Sequence, residues 1–87
     1  MLDTELLHGK VTSVKEFGTM IRMKRKSLGM TLEKVAGLTG IGIRYLSELE
    51  RGKQTIEMGK ALHVLNGLGL ELWVKPRSGT PYGGMNA

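Results

Sequence analysis

Eighty-seven residues leave room for one small domain, because domains cluster at roughly 100 to 150 residues and a second core would have to come from about 40. Thirteen Lys and Arg against 8 Asp and Glu give a formal net charge of +5, which favours a polyanionic partner and puts nucleic acid ahead of membrane surfaces and acidic proteins. The chain has no cysteine, so it carries neither a disulfide framework nor a thiolate metal site, and packing, with a second copy as a further source, must hold it together.

Residues 1–12 show no sustained period and are read as a flexible N-terminal arm, with at most a short strand or turn around Leu6, Leu7 and Val11. The start MLDTELLHGK has neither the basic beginning nor the apolar run of a signal peptide, and no stretch reaches the roughly 20 apolar residues of a bilayer span. A soluble, unexported chain is expected. Ser13 with Glu16 three positions later forms a capping box, and a helix is predicted from about Val14 to Leu28. Its apolar stripe is Val14, Phe17, Ile21 and Leu28, with Met20 beside it and the stem of Arg25 filling the gap at Lys24. Gly29 supplies the stop.

Thr31 caps a second, eight-residue helix that turns Val35, Ala36 and Thr39 to one face and ends at Gly40. A third begins near Gly42, sends Leu46 and Leu49 inward and closes at Gly52. A fourth, roughly Ile56 to Asn66, places Met58, Ala61, Leu62 and Leu65 on one stripe, ended by Gly67 or Gly69. From Leu70 to Lys75 the period changes to the alternation of a strand, which Pro76 stops. A lone strand needs a partner, either the N-terminal arm or the same strand of another copy, and the second is favoured. Residues 77–87, rich in Gly, Ser and Pro, are expected to be a disordered tail.

The segment F-G-x-x-I-R-x-x-R-K-S-L-G-M-T-L-E-K-V-A-G-L-T-G-I-G-I-R-Y-L-S-E-L-E-R-G-K, Phe17 to Lys53, resembles the phage-repressor (Xre-type) helix-turn-helix family. The resemblance rests on Thr31 at the cap, Val35 and Ala36 in the first motif helix, Gly40 at the turn, Leu46-Ser47, and the closing Leu49-Glu50-Arg51-Gly52. It implies a mostly α fold, a lambda-repressor-like DNA-binding domain of four to five helices over residues 13–69.

The physics agrees with that resemblance. Helices crossing steeply after a short turn need a small residue where they touch, here Ala36, and Gly40 takes the positive φ of the turn at no steric cost. The second motif helix can then enter a major groove about 12 Å wide with its first residues toward the base edges. Those residues are Gly42, Ile43, Arg44, Tyr45 and Ser47. Arg44 is the leading base reader, bidentate to guanine O6 and N7, with a phosphate clamp as the alternative. Ile43 either meets a thymine methyl or is plain surface, and Ser47 either bonds base or phosphate or faces solvent. Tyr45 either bonds a phosphate or packs over the turn. Thr31 offers a phosphate its hydroxyl and nearby N–H groups, although capping alone would explain it. Arg51, Lys53 and Lys26 are phosphate candidates or a solvated basic face. Leu32 stands where the resembling family usually carries Gln, which removes a polar contact to DNA. By resemblance, Arg25 and Glu50 form a partly buried structural salt bridge.

The short chain with L-G-L-E-L-W-V directly after the fourth helix resembles the HipB-type antitoxins in particular. That resemblance implies that residues 70–76 are a C-terminal β-strand that pairs across a homodimer, with Leu70, Leu72 and Val74 on one face; Trp73 lies opposite and packs on its symmetry mate, is kept for a partner, or lies over its own domain. Two recognition helices about 34 Å apart would then read a palindromic operator in double-stranded DNA. It further implies a cytoplasmic, nucleoid-associated bacterial repressor that controls its own operon and binds a HipA-like serine/threonine kinase toxin. A stand-alone repressor without a toxin and a helix-turn-helix protein-interaction adaptor are the alternatives. His8 and His63, the only histidines, lack metal-like companions at short spacing, so no catalytic residue, metal or cofactor is expected.

Overall fold

Residues 9–77 are described by the structure, a computed structural model. The expectations for the first eight residues, Leu6 and Leu7 included, and for the tail beyond Arg77 lie outside the described residues.

Four helices follow in chain order: α1 (Val14–Ser27), α2 (Leu32–Thr39), α3 (Ile43–Glu50) and α4 (Met58–Gly67). Each start is fixed by a local device. Ser13 Oγ accepts from the Glu16 N–H at 3.0 Å, but the Glu16 carboxylate reaches one residue further back than a reciprocal capping box requires. It accepts from the Thr12 N–H at 2.8 Å and the Thr12 hydroxyl at 2.7 Å, so the N-terminal lock of α1 includes Thr12. Thr31 Oγ1 accepts from the Lys34 N–H at 3.1 Å. Glu57, which the periodicity placed inside the last helix, instead caps it, its carboxylate taking the N–H groups of Gly59 and Lys60. α4 therefore starts two residues later than its apolar pattern suggests.

The core draws on all four helices: Ile21 from α1, Val35 from α2, Leu46 and Leu49 from α3, and Ala61, Val64 and Leu65 from α4, with Leu68 just beyond. Full burial of an Ile, Val or Leu side chain contributes roughly 1.5 to 3 kcal/mol, so this cluster, all but Ala61 of those types, is the main source of cohesion. Phe17, Met30, Leu32, Ala36, Ile41, Tyr45, Ile56 and Leu70 pack around it.

Two expected stripes are corrected. Leu28 is exposed, because α1 ends at Ser27 and Leu28 serves as its C-cap, turned away from the core. On α4, Met58 and Leu62 are exposed, and the buried stripe is Ala61, Val64, Leu65 and Leu68, an i, i+3, i+4, i+7 pattern rotated from the expected one.

α1 packs on α3, and α2 packs on both α3 and α4. The α1–α3 crossing is close enough that a Cβ placed on Gly18 would lie 2.2 Å from the Leu49 carbonyl oxygen. Just past the same end of α3, a Cβ placed on Gly52 (φ 84°) would lie 2.6 Å from Lys15 Cα, so the C-terminal end of α3 is pinned against α1. After α4, Leu70 packs against the core and residues 69–77 carry no regular secondary structure in the single chain. No helix among the described residues is long and apolar enough to cross a membrane.

Candidate nucleic-acid interface

The turn between α2 and α3 sets the site. Gly40 is left-handed (φ 75°) and its N–H returns to the Ala36 carbonyl at 2.9 Å. The Thr39 hydroxyl donates to the Val35 carbonyl at 2.7 Å and accepts from the Ile41 N–H at 3.2 Å. His63 of α4 braces the same turn, with Nε2 2.8 Å from the Thr39 carbonyl oxygen; facing an acceptor, this nitrogen must carry the proton. The turn is therefore held by its own side chain and by a neighbouring helix, which fixes the angle at which α3 leaves.

With Leu46 and Leu49 buried, the opposite side of α3 presents Arg44, Ser47, Glu48 and Arg51 at helical spacing. The Arg44 side chain is 93% exposed and its Nε lies 3.5 Å from Glu48 Oε2. Lys53 Nζ lies 3.2 Å from the other oxygen, Glu48 Oε1. The Lys53 bond is the main influence holding the Glu48 carboxyl below its ordinary value, and the charges of Lys53 and Arg44 add to it. Ile43 is exposed at the edge of this face, Ser47 is half-buried, Arg51 is exposed, and Gly42 is the N-cap, with no side chain to cap the helix. That leaves the first N–H groups of α3 without a side-chain acceptor at the N-cap.

Tyr45 turns the other way. Its hydroxyl donates to the Glu57 carbonyl at 2.5 Å, its ring packs against the core, and Lys60 Nζ stands 5.6 Å from the ring centroid. Burial, with the Glu57 charge, raises the phenol above its ordinary value, so it is a neutral donor in the loop before α4. Thr31 is exposed, its hydroxyl engaged at the start of α2.

Beside α3 an open groove of about 510 Å³ is lined by residues of α1 that include Thr19, Arg22 and Lys26, by Leu32 of α2, and by Ser47 and Arg51. Arg25 closes its floor. Arg25 Nε donates to Glu50 Oε2 at 2.7 Å and Nη2 to Oε1 at 2.9 Å, and Nη1 donates to the Met30 carbonyl at 2.8 Å. The Glu50 bond outweighs burial and raises Arg25 above its ordinary value. Glu50 is consumed by this pair, so Arg22, Lys26 and Arg51 leave the groove basic; Arg22 comes only within 4.0 Å of Glu50.

The structure thus gathers Arg44, Ser47 and Arg51 on one face of α3, with Lys53 at its end, Lys26 across the groove and Thr31 at the start of α2. It sets Tyr45 apart from them. Arg22 and Glu48 were not singled out from the sequence. Arg22 precedes the Lys24-Arg25-Lys26 run and reads as one more surface charge until α1 is laid against α3. The i, i+4 spacing from Arg44 to Glu48 was visible, and marks the side of α3 that faces away from the core. Leu70 supports the core, whereas Leu72, Trp73 and Val74 are 41%, 73% and 93% exposed. Among the described residues no group of three His, Cys, Asp or Glu side chains comes together as a metal site.

The profile of the helix-turn-helix family matches residues 21–72, which spans all of α2, α3 and α4. An uncharacterised HTH-type transcriptional regulator of Sinorhizobium fredii is 33% identical over 63 residues, covering 72% of this chain and 83% of that protein. Another, from Haemophilus influenzae, is 35% identical over 68 residues, covering 78% and 67%. Among solved structures, the fold is similar to a chain of a HipA–HipB–O2–O3 complex (TM-score 0.73) and of a HipB–O4 20mer complex (TM-score 0.74). Each is 19% identical, with 79% of this chain and 97% of that one covered. A turn braced from two sides, a helix presented by a buried leucine pair and relatives matched over most of their length lead to one assignment: the chain belongs to the helix-turn-helix family, among the HTH-type transcriptional regulators.

Proposed function

We propose that this chain is a homodimeric, sequence-specific repressor that binds a palindromic operator in double-stranded DNA, and that it is the antitoxin of a HipA/HipB-type pair, controlling its own operon and binding a HipA-like serine/threonine kinase toxin. The observation that carries the DNA reading is the free face of α3. A helix whose inner side is locked by Leu46 and Leu49 turns Arg44, Ser47 and Arg51 to solvent beside a basic groove. This is the arrangement needed to put arginine on base edges and lysine on phosphates. Gly42 and Ile43 enter first, Arg44 reads guanine, and Thr31, Lys26, Arg51 and Lys53 hold the backbone. Tyr45 supports the loop before α4 and leaves the DNA-contacting set.

Residues 13–69 form the DNA-binding unit. Residues 70–76 become a strand only against the same segment of a second copy, because a single extended segment leaves its N–H and C=O groups unpaired. The exposure of Leu72, Trp73 and Val74 supports this reading. The toxin partnership is supported by the likeness to HipB chains solved with HipA and with operator DNA.

The test is fluorescence anisotropy of the chain with DNA from upstream of its own gene and with a scrambled duplex, at two salt concentrations. The expected result is tight binding to the upstream duplex alone. Equal binding to both, erased by salt, overturns the repressor assignment. The antitoxin assignment further requires a kinase-like protein encoded beside this gene to co-purify with the chain; a stand-alone repressor has no such neighbour.

A further inference from the structure

Glu48 is the one carboxylate on the outward face of α3, and its presence there needs an explanation. The phosphates repel it. Guanine presents O6 and N7 to the major groove, adenine N7 and thymine O4, all of them acceptors that a carboxylate cannot satisfy. The donors on base edges there are the amines of cytosine and adenine. Adenine places its N7 acceptor beside that amine, whereas cytosine offers the amine alone, so cytosine suits a carboxylate best.

The two oxygens of Glu48 are held separately. Lys53 Nζ lies 3.2 Å from Oε1 and Arg44 Nε 3.5 Å from Oε2. Lys53 is further fixed to the same residue through its backbone, its N–H donating to the Glu48 carbonyl at 3.0 Å. Arg44, by contrast, is 93% exposed, so its side chain can swing away from Glu48 without disturbing the core. When Arg44 leaves for a guanine, Lys53 keeps the carboxylate ionised and oriented while Oε2 is released. The Cα atoms of residues 44 and 48 are separated by about 6 Å along the helix axis, against about 3.4 Å per base pair, so the two side chains address different base pairs.

Building on the DNA-reading function above, we propose that Glu48 is a specificity-determining residue, its freed Oε2 accepting a hydrogen bond from the exocyclic amine of a cytosine one or two base pairs from the guanine taken by Arg44. The Arg44–Glu48 pair is then a two-part reader: closed in the free protein, it opens so that its cation and its anion each find a complementary base. A half-site lacking the cytosine leaves the freed oxygen against acceptors and is rejected.

The experiment is selection of bound duplexes from a randomised double-stranded DNA library by the full chain, comparing wild type with Glu48→Gln, Glu48→Ala and Arg44→Ala. Thermal melts of all four check that each is folded. The wild type is expected to enrich a guanine and, one or two positions away, a cytosine, with about tenfold discrimination at the cytosine. Glu48→Ala should lose preference at that position alone, Glu48→Gln should shift it toward adenine, and Arg44→Ala should lose the guanine while keeping the cytosine. If wild type and both Glu48 variants enrich the same bases at every position, or if the Glu48 variants lose the guanine instead, Glu48 is only a brace for Arg44 and the proposal is overturned while the repressor reading stands. If wild type enriches no sequence, both fall.

Discussion

Arg25 and Glu50, 25 positions apart, meet through two parallel charge-assisted bonds of 2.7 and 2.9 Å, with side chains only 10% and 7% exposed. The remaining guanidinium bond, to the Met30 carbonyl, ties the α1–α2 connection into the same knot. One side chain therefore joins the end of α1, the start of the motif and the end of α3, and it keeps Glu50 from cancelling the basic groove.

Breaking this pair from one side leaves a nearly buried charge without its partner, which costs about 3 to 5 kcal/mol. Glu50→Gln is expected to fall near the lower end, since the amide retains part of the hydrogen bonding. Urea unfolding of Glu50→Gln, Arg25→Met and the double variant checks it: the double variant should be less destabilised than the sum of the singles. Strict additivity would mean that the two side chains do not interact energetically.

Gly18 is a second point where α1 and α3 are held. A Cβ there would meet the Leu49 carbonyl oxygen at 2.2 Å and the Glu50 carbonyl oxygen at 2.7 Å, and backbone cannot swing aside as a side chain can. Gly18→Ala should therefore cost about 1 to 3 kcal/mol by overpacking, against the usual gain of about 1 kcal/mol when a helical Gly becomes Ala. Gly37, with open space around its Cβ position, is the control: Gly37→Ala should be neutral or stabilising in the same melts.

Such close approaches are what the linear pattern hides. Stops and starts written in single residues were legible: Ser13, Thr31, Gly29, Gly40 and Gly52 each act where the chain chemistry places them. The inward leucines of α3 were legible too, because eight residues with two leucines three apart leave little choice. Position 58 misled, since Met58 and Leu62 match an apolar stripe as well as Val64 and Leu68 do, and periodicity alone does not fix the rotation of a helix that also needs Glu57 as its cap. Tyr45 reads equally as a phosphate contact and as packing over the turn, because its partner, the Glu57 carbonyl, is 12 residues away. Residues 70–75 show strand alternation, but a strand takes form only against another, and the described residues of one chain offer none.

Acid should weaken the fold through Glu16 and Glu48. The hydrogen bond from the Thr12 hydroxyl, followed by that from its N–H, holds the Glu16 carboxyl below its ordinary value; the Lys53 bond, first, does the same for Glu48. For a group depressed on folding, the unfolded chain binds more protons in the window between the two values, so stability rises with pH there. Their contribution is complete above the unfolded glutamate value of about 4.3 and is lost as pH falls through the folded values. Urea midpoints measured from pH 7 to pH 3 should drop in that range, and Glu16→Gln should flatten part of the slope without removing it. An unchanged slope in that variant would place the proton uptake elsewhere.

The proposed dimer strand makes a prediction separable from the fold. Val74 is 93% exposed and Leu72 41%, so replacing both with Asp leaves the single-chain core untouched while placing like charges along a cross-strand pair. Light scattering at micromolar concentration should show a dimer for wild type and a monomer for the Leu72→Asp/Val74→Asp variant, with far-ultraviolet helix content unchanged. A wild-type monomer would remove the strand-paired dimer. Leu70 is excluded because it packs on the core, and its loss would confuse assembly with unfolding.

Arg44 and Lys26 should fail in different ways when each is replaced by Ala. Arg44 stands clear of the surface on the outward face of α3, where a guanidinium can take guanine bidentately. Its loss should cost about 1 to 3 kcal/mol at the guanine position and relax specificity there. Lys26 lies across the groove, where the backbone bordering the major groove would pass, and a lysine on a phosphate carries no sequence information. Lys26→Ala should weaken binding evenly across all duplexes and reduce the slope of log affinity against log salt by about 1. Anisotropy titrations at four salt concentrations, with the upstream duplex and one altered at the guanine, separate the two. A loss of sequence discrimination in Lys26→Ala, with the salt slope unchanged, would exchange the roles of the two residues and move the base-reading contact from α3 to the groove beside it.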